Sequence, residues 1–209
     1  MGIGKVATFG KELLKLRMEN ALTKFILTNT TINESDMKTV LACFRPLRAL
    51  KDEILLGEGD ASKRMYFVIS GCLRIYFLQA DGSEATRYIA FENNFATGLM
   101  AFISQQPSLE YIQALENSEL LYISHDHFYR LLDTIPGWEK FFRSYLEHAY
   151  VTNTNRLMSF ITMDATERYQ LLMKEHPHIT QRLSNKMVAN YLGISQEALS
   201  RLKGRINKK

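Results

Sequence analysis

Cysteine is nearly absent. Cys43 and Cys72 are the only two in 209 residues, too few for a disulfide scaffold and too far apart for a CxxC metal or redox pair. Proline is scarce, at four, so nothing reads as a disordered tail. No stretch reaches the roughly 18 uninterrupted apolar residues that a membrane-spanning helix needs, and no charged segment followed by an apolar one opens the chain. A soluble, cytoplasmic protein with no membrane partner is therefore expected. No glycine-rich phosphate loop and no nucleophile elbow occurs, and no histidine precedes His125. What is present is core material: 46% hydrophobic and 11% aromatic residues, enough at this length for one or two packed domains.

Negative charge is short at both ends. Residues 1–17 carry Lys5, Lys11, Lys15 and Arg17 against Glu12, a net +3. Residues 18–181 are acidic at −5, and residues 182–209 return to +6, with Arg182, Lys186, Arg201, Lys203, Arg205, Lys208 and Lys209 against Glu197 alone. A cationic tail on an acidic body fits a polyanionic partner at one end, or a tail that merely aids solubility.

Residues 1–17 precede a second methionine, Met18; a misread start codon, an added leader or a frayed helix all fit, and they are assigned no role. Asn33 is a good N-cap for a short helix over Glu34–Phe44, whose Met37, Val40, Leu41 and Phe44 share a face and which Pro46 ends. Between residues 49 and 124 the texture changes. Runs rich in Ile, Tyr, Phe and Val (Glu53–Leu56, Met65–Ser70, Leu73–Leu78, Thr86–Phe91, Tyr111–Leu115, Leu120–Ser124) are broken by Gly57, Gly59, Gly71, Asp81-Gly82 and Pro107. This is strand density at barrel spacing, with Asp81-Gly82 a hairpin signal, and it predicts a jelly-roll.

After Ser124, a candidate N-cap, the period becomes helical. Phe128, Leu131 and Leu132 mark a short amphipathic helix that stops near Pro136. A second helix, about 34 Å long, is predicted over Trp138–Phe160. Its residues Phe142, Leu146, Ala149, Asn153, Leu157 and Phe160 approximate a coiled-coil seam, which suits parallel pairing with a copy of itself, packing on its own β domain, or both. Asp164-Ala165-Thr166-Glu167 then offers a capping box at a hinge, opening a helix that ends at His176-Pro177.

The strongest local pattern is Leu183–Ile206. Ser184 caps a helix whose Met187, Val188, Tyr191 and Leu192 face inward, Gly193 makes the turn with Ile194 in the angle, and Ser195 caps a second helix with Ala198, Leu199 and Leu202 inward. This is the spacing of a helix-turn-helix; a generic helical hairpin shares its apolar part. Gln196, Glu197, Ser200 and Arg201 lie where side chains reach base edges, while Lys186, Lys203, Arg205 and the Ser195 backbone N–H are placed for phosphates.

Taken together, a β-roll, a long helix, a hinge aspartate and a C-terminal helix-turn-helix resemble the Crp/Fnr transcription regulators, whose β-roll descends from a cyclic-nucleotide-binding domain. Asp164-Ala-Thr-Glu-Arg168 matches the family's D-x-T-x-R hinge, Gly59 and Gly71 match its turn glycines, and Glu197-Ala-Leu-Ser200-Arg201 looks like the E-x-x-S-R of the Fnr branch. The resemblance implies an α+β fold: a jelly-roll sensor domain, a long dimerisation helix and an all-α DNA-binding domain. Expected boundaries are an N-terminal extension 1–24, β-roll 25–135, dimerisation helix 136–163 and helix-turn-helix domain 164–209. It also implies a non-enzymatic homodimer on an inverted repeat of TTGAT-like half-sites in double-stranded DNA, with RNA polymerase as a candidate further partner, a small-molecule effector or none, and no cofactor or metal.

The departures from the family are specific. Where cAMP-binding members hold the ribose with Gly-Glu and the cyclic phosphate with Arg-Ser, this chain has Thr97-Gly98 and Ser108-Leu109. Carboxylate and guanidinium are both missing, so tight cAMP binding is not expected. A pocket near Thr97, Gly98, Leu99, Met100, Ser108, Leu109, Tyr111, Asn153 and Thr154 either takes a less anionic ligand or is filled by its own side chains. The four cysteines of Fnr-type oxygen sensors are lacking. Many family members continue into a β-hairpin wing after the recognition helix, whereas here Lys208 and Lys209 stand as substitutes. Two other readings compete: a cupin-like metalloenzyme using His125-Asp126-His127, and a β-roll receptor that binds no DNA.

Overall fold

A computed structural model describes residues 3–206, with side chains from residue 16 onward. Lys208 and Lys209, and the lysines of the first fifteen residues, lie outside the described side chains. The chain divides into two compact units: one runs to Ile75 and resumes over Ile89–Leu146, the other joins Tyr76–Tyr88 to the chain from Glu147 onward.

The first unit opens with helix α1 (Ile3–Asn29) and helix α2 (Glu34–Ala42). The sequence reading leaves a frayed helix as one option for residues 1–17 and places none between Met18 and Asn33. In the structure α1 runs through the expected 24/25 boundary, and Met18, Leu22 and Ile26 recur every fourth residue with at most 2% exposure, the spacing of one helical face. Asn33 caps α2 as expected, accepting from the Asp36 N–H. The end of α2 differs from expectation. Phe44 and Pro46 belong to strand β1 (Phe44–Ala49), in register with β8 (Ser118–Ser124) from Phe44 opposite Ile123 to Ala49 opposite Ser118. Pro46 is tolerated because β1 is an edge strand, where a missing N–H leaves no ladder bond unmade.

Strands β2 (Ile54–Leu56), β3 (Arg64–Ser70), β4 (Leu73–Leu78), β5 (Glu84–Ala90), β6 (Phe95–Ala96) and β7 (Tyr111–Ala114) complete two four-stranded sheets, ordered β1-β8-β3-β6 and β2-β7-β4-β5. This two-sheet roll agrees with the predicted jelly-roll. Beyond β1, the short β6 and helix α3 (Leu99–Ser104) went unread, because both are shorter than the window over which periodicity can be counted. Gly71 adopts φ +98°, and a Cβ there would lie 2.7 Å from the Ser118 Cα. No other residue fits that turn.

Helix α4 (His125–Thr134) begins at Ser124, whose hydroxyl accepts from the His127 N–H. Helix α5 (Pro136–Thr162) starts on proline, which lacks the N–H that a first turn leaves unpaired anyway. Its opening turns close an aromatic core. The Phe95 ring lies 5.0 Å from Phe67 and 5.9 Å from Phe141, while Trp138 stacks on Phe141 at 5.0 Å and meets Phe128 edge-on at 5.4 Å. Phe142, expected on a dimer seam, packs in this core instead, edge-on to Phe128 at 4.8 Å.

In the second unit, helices α6 (Ala165–Glu175), α7 (Ile179–Arg182), α8 (Asn185–Leu192) and α9 (Gln196–Ile206) follow the end of α5. Asp164 caps α6 in a complete capping box: its carboxylate accepts from the Thr166 and Glu167 N–H groups, and Glu167 reaches back to the Asp164 N–H at 2.8 Å. These backbone donors, Glu167 first, hold the Asp164 carboxyl below its ordinary value. Phe160, the other end of the expected seam, is engaged within its own unit, beneath the Arg156 and Arg168 guanidinium groups at 4.9 and 4.8 Å.

Candidate nucleic-acid interface and ligand pocket

Helices α8 and α9 are joined by a turn that needs its sequence. Gly193 sits at φ +67°, and a Cβ there would fall 2.7 Å from the Phe160 ring, so both the backbone angle and the close approach select glycine. Ser184 caps α8 by accepting from the Met187 N–H at 3.2 Å, and Ser195 caps α9 by accepting from the Ala198 N–H at 3.1 Å. Val188, Ala189, Leu192, Leu199 and Leu202 are buried between the helices. Ala189 is the small residue that lets the backbones approach.

Gln196, Glu197, Ser200 and Arg201 are all exposed along the N-terminal half of α9, and Lys186 and Arg205 are exposed beside them. Lys203 is half-buried, and its ammonium donates to Asn185 Oδ1 at 2.6 Å, which fixes its direction. The Glu197 carboxyl is held below its ordinary value, first by its own backbone N–H and then by the Ser195 hydroxyl. It is therefore an acceptor over the working pH range, as contact with a cytosine amino group requires.

Two of the residues expected to face inward do something else. Met187 and Tyr191 are half-buried and meet the β4–β5 hairpin tip and α5: the Thr86 hydroxyl lies 3.8 Å from the Met187 sulfur, and the Arg156 guanidinium lies 3.8 Å over the Tyr191 ring. Asn190, not singled out from sequence, accepts from the Thr86 N–H at 2.8 Å and donates to the Glu84 carbonyl. Its amide thus pairs with the open edge of β5 as a further strand residue would. Arg156 joins the same group, donating to the Thr86 carbonyl at 3.0 Å and the Tyr191 carbonyl at 2.7 Å. No periodicity in the sequence links positions some hundred residues apart.

At the expected ligand positions of the first unit, Thr97 and Ser108 are 2% and 1% exposed. The Thr97 hydroxyl donates to the Arg64 carbonyl at 3.0 Å and lies 3.4 Å from the Ser62 hydroxyl; the Ser108 hydroxyl donates to the Glu110 carbonyl at 2.9 Å. Gly98 has no spare room, since a Cβ on it would meet Leu56 at 2.9 Å, Ser108 at 3.4 Å and Ser62 at 3.5 Å. These three positions are occupied by local packing. Leu99 and Tyr111 are half-buried, whereas Met100 and Leu109 are exposed. Asn153 and Thr154 belong to the second unit; Asn153 is exposed and accepts from Arg87 at 3.4 Å. Beside Leu56 and Ser62, an open cleft of about 330 Å³ is edged by Asp60, Lys63, Arg64 and Tyr66.

His125 and His127 open α4. The His125 ring lies tilted against Tyr129 at 4.4 Å and meets Phe102 edge-on at 5.2 Å, with Nδ1 3.5 Å from Asp126. Among the described residues, no three His, Cys, Asp or Glu side chains gather as a metal site, and no helix is long and apolar enough to cross a membrane.

Residues 46–135 match the family model of the cyclic nucleotide-binding domain. That stretch is similar to a cyclic nucleotide-binding domain, and the whole chain shares the fold of the Crp/Fnr regulators. Among solved structures similar to it is the c-di-GMP responsive global regulator CLP of Xanthomonas campestris, at TM-score 0.67 and 19% identity, covering 84% of this chain and 92% of that one. Among curated proteins it is similar to the anaerobic regulatory protein of Pasteurella multocida (strain Pm70), 23% identical over 196 residues that span 85% of this chain and 69% of the relative. It also matches patatin-like phospholipase domain-containing protein 6 of Mus musculus, 26% identical over 84 residues, but spans only 6% of that protein's length. Within the matched stretch, Thr97, Gly98, Ser108 and Leu109 carry no charge.

Proposed function

We propose that this protein is a sequence-specific DNA-binding transcription regulator acting as a homodimer in the cytoplasm. The observation that carries this reading is the α8–Gly193–α9 geometry: two capped helices with a sealed apolar interface, and on the outward face of α9 a cluster of Gln196, Glu197, Ser200 and Arg201 flanked by Lys186 and Arg205. Arg201 bonds a guanine edge and Glu197 a cytosine amino group, while Lys186, Arg205 and the first N–H groups of α9, beside Ser195, meet phosphates. Lys203 contributes charge from its tether on Asn185.

Dimerisation is carried by a stripe shifted from the seam read in the sequence. Tyr150, Leu157 and Ile161 are 73%, 61% and 68% exposed. With Thr154 they form a 4, 3, 4 spacing, flanked by Val151 and Met158, which is a coiled-coil seam wanting a partner. Phe142 and Phe160 are engaged at home, Asn153 turns toward Arg87, and Leu146 and Ala149 are half-buried. Two copies joined along this stripe present recognition helices to half-sites about 34 Å apart. RNA polymerase is the further partner that a promoter-bound dimer meets.

cAMP is not the effector in this reading, because a desolvated phosphate diester at Ser108 and Leu109 has no cation and the Thr97–Gly98 wall is already filled. The decisive experiment is a DNA-binding selection on the purified full chain. A two-fold symmetric site is expected, from which Arg201→Ala loses about 1–3 kcal/mol while remaining dimeric. Recovery of no symmetric site overturns the reading, and micromolar cAMP binding by calorimetry overturns its effector part.

A further inference from the structure

The second unit holds a cavity of about 160 Å³ between the last turns of α5, α6 and the end of α8. Two guanidinium groups line it, those of Arg156 and Arg168, together with the apolar Phe160, Leu171 and Leu192 and one acid, Glu175. Among the described residues neither arginine forms an ion pair within 4 Å, although the Arg168 charge is near enough to help lower the Asp164 carboxyl. Arg156 spends Nη2 on the Thr86 and Tyr191 carbonyls. Arg168 donates from Nη1 to the Met163 carbonyl at 2.7 Å and from Nη2 to the Leu192 carbonyl at 3.3 Å, and its Nε is buried with no acceptor at all. Arg87 adds a third guanidinium on Asn153, which also lines the cavity.

Gathering like charges around a partly desolvated space is unfavourable, and the arrangement shows it: burial first, then the neighbouring Arg87 and Arg168 charges, pull the Arg156 pKa down against the opposing contact with Tyr191. An anion in the cavity relieves the repulsion between the two guanidinium groups that line it, Arg156 and Arg168. A carboxylate suits a guanidinium geometrically, since two oxygens can take two N–H groups; the apolar part of the lining, Phe160, Leu171 and Leu192, takes an apolar body, while Thr152, Asn155 and Ser159 leave part of the wall polar. The volume is about half the lower bound for drug-sized ligands, which excludes a nucleotide. We infer that the hinge cavity is a binding site for a small organic monocarboxylate with a compact apolar body, held by Arg156 and Arg168 and distinct from the Thr97–Ser108 region of the β-roll.

Arg156 also ties the Thr86 strand edge to Tyr191 of α8, and Arg168 ties the end of α5 to the end of α8. A ligand drawing on both guanidinium groups therefore competes with the bonds that fix α8. Its effect on DNA affinity rests on the regulator reading above; the binding itself does not.

The test uses the full chain and two matched pairs of probes, isovalerate against isovaleramide and benzoate against benzamide, followed by calorimetry and by chemical shifts of α6 and α8. The carboxylates are expected to bind at millimolar concentration or tighter and the amides at least about tenfold more weakly, since only the former meet the guanidinium charge. Leu171→Trp, which fills the cavity from a half-buried position, abolishes binding; Glu175→Gln, at an exposed rim position, removes the one opposing charge and tightens it about threefold. Equal binding of acid and amide, no binding of either acid up to about 20 mM, or a Glu175→Gln variant that binds no better than the parent overturns the site. Carboxylate binding in a protein that selects no DNA sequence leaves the site standing and removes only the regulatory consequence.

Discussion

Gly193→Ala is the most searching perturbation of the α8–α9 unit, because two separate costs meet there. A non-glycine residue held at φ +67° costs about 1–2 kcal/mol relative to ordinary helical angles. The new methyl group also lies 2.7 Å from the Phe160 ring, at least half an ångström too close. Phe160 is 41% exposed, so its ring can swing aside, at about the 0.5–1.5 kcal/mol of an off-rotamer side chain. The sum is about 2–3 kcal/mol. Read by hydrogen exchange of amides in α8 and α9, that is a loss of protection of about 30- to 150-fold, local to this unit. Phe160→Ala by itself costs about 1–2 kcal/mol through the two lost guanidinium contacts, yet in the Gly193→Ala background it recovers the steric part, so the two changes couple by about 0.5–1.5 kcal/mol. Protection within twofold of the parent, or strict additivity of the two substitutions, refutes the argument.

Leu22→Ala should destabilise the first unit by about 2–5 kcal/mol, as expected for a fully buried leucine; urea melts followed by the fluorescence of Trp138, the single tryptophan, check this, and a change below about 1 kcal/mol refutes the docking of α1. Burial holds the His176 imidazole below its ordinary 6.5, so the unfolded chain takes up its proton first. Stability of the second unit is accordingly full above that value, falls as pH drops toward the depressed one and then levels off. His176→Gln should flatten that slope in thermal melts between about pH 7 and 5, and an unchanged slope refutes the assignment. Leu157→Glu places a charge on the proposed seam and should yield monomers by sedimentation at micromolar concentration, while leaving helix content unchanged.

Much of this architecture is legible along the chain because its signals are local. The Asp164 capping box, the Ser124 and Ser184 caps, the Asp81-Gly82 hairpin and the α8–α9 spacing each depend on residues within a few positions of one another, where backbone geometry alone relates them. Strand β1 was hidden by Pro46 and two arginines, tolerable only because the strand lies at a sheet edge, which is a property of the sheet and not of the segment. Helix α1 was hidden because its narrow stripe of Met18, Leu22 and Ile26 gains meaning only once the roll exists for it to cover.

The same division runs through the candidate sites. Residue types by themselves determined that Ser108 and Leu109 offer no guanidinium and that the basic C-terminal segment carries Gln196, Glu197, Ser200 and Arg201 as hydrogen-bonding groups, since charge and hydrogen-bonding capacity belong to a side chain wherever it sits. Only the tertiary structure decided that Thr97, Gly98 and Ser108 are already packed, that Phe142 and Phe160 are used inside the chain, leaving the Tyr150–Ile161 stripe open, and that Arg156, Arg168 and Asn190 converge on one hinge. Those outcomes depend on which distant side chains share a volume, and that is settled by packing whole elements together, a collective property that no single segment encodes.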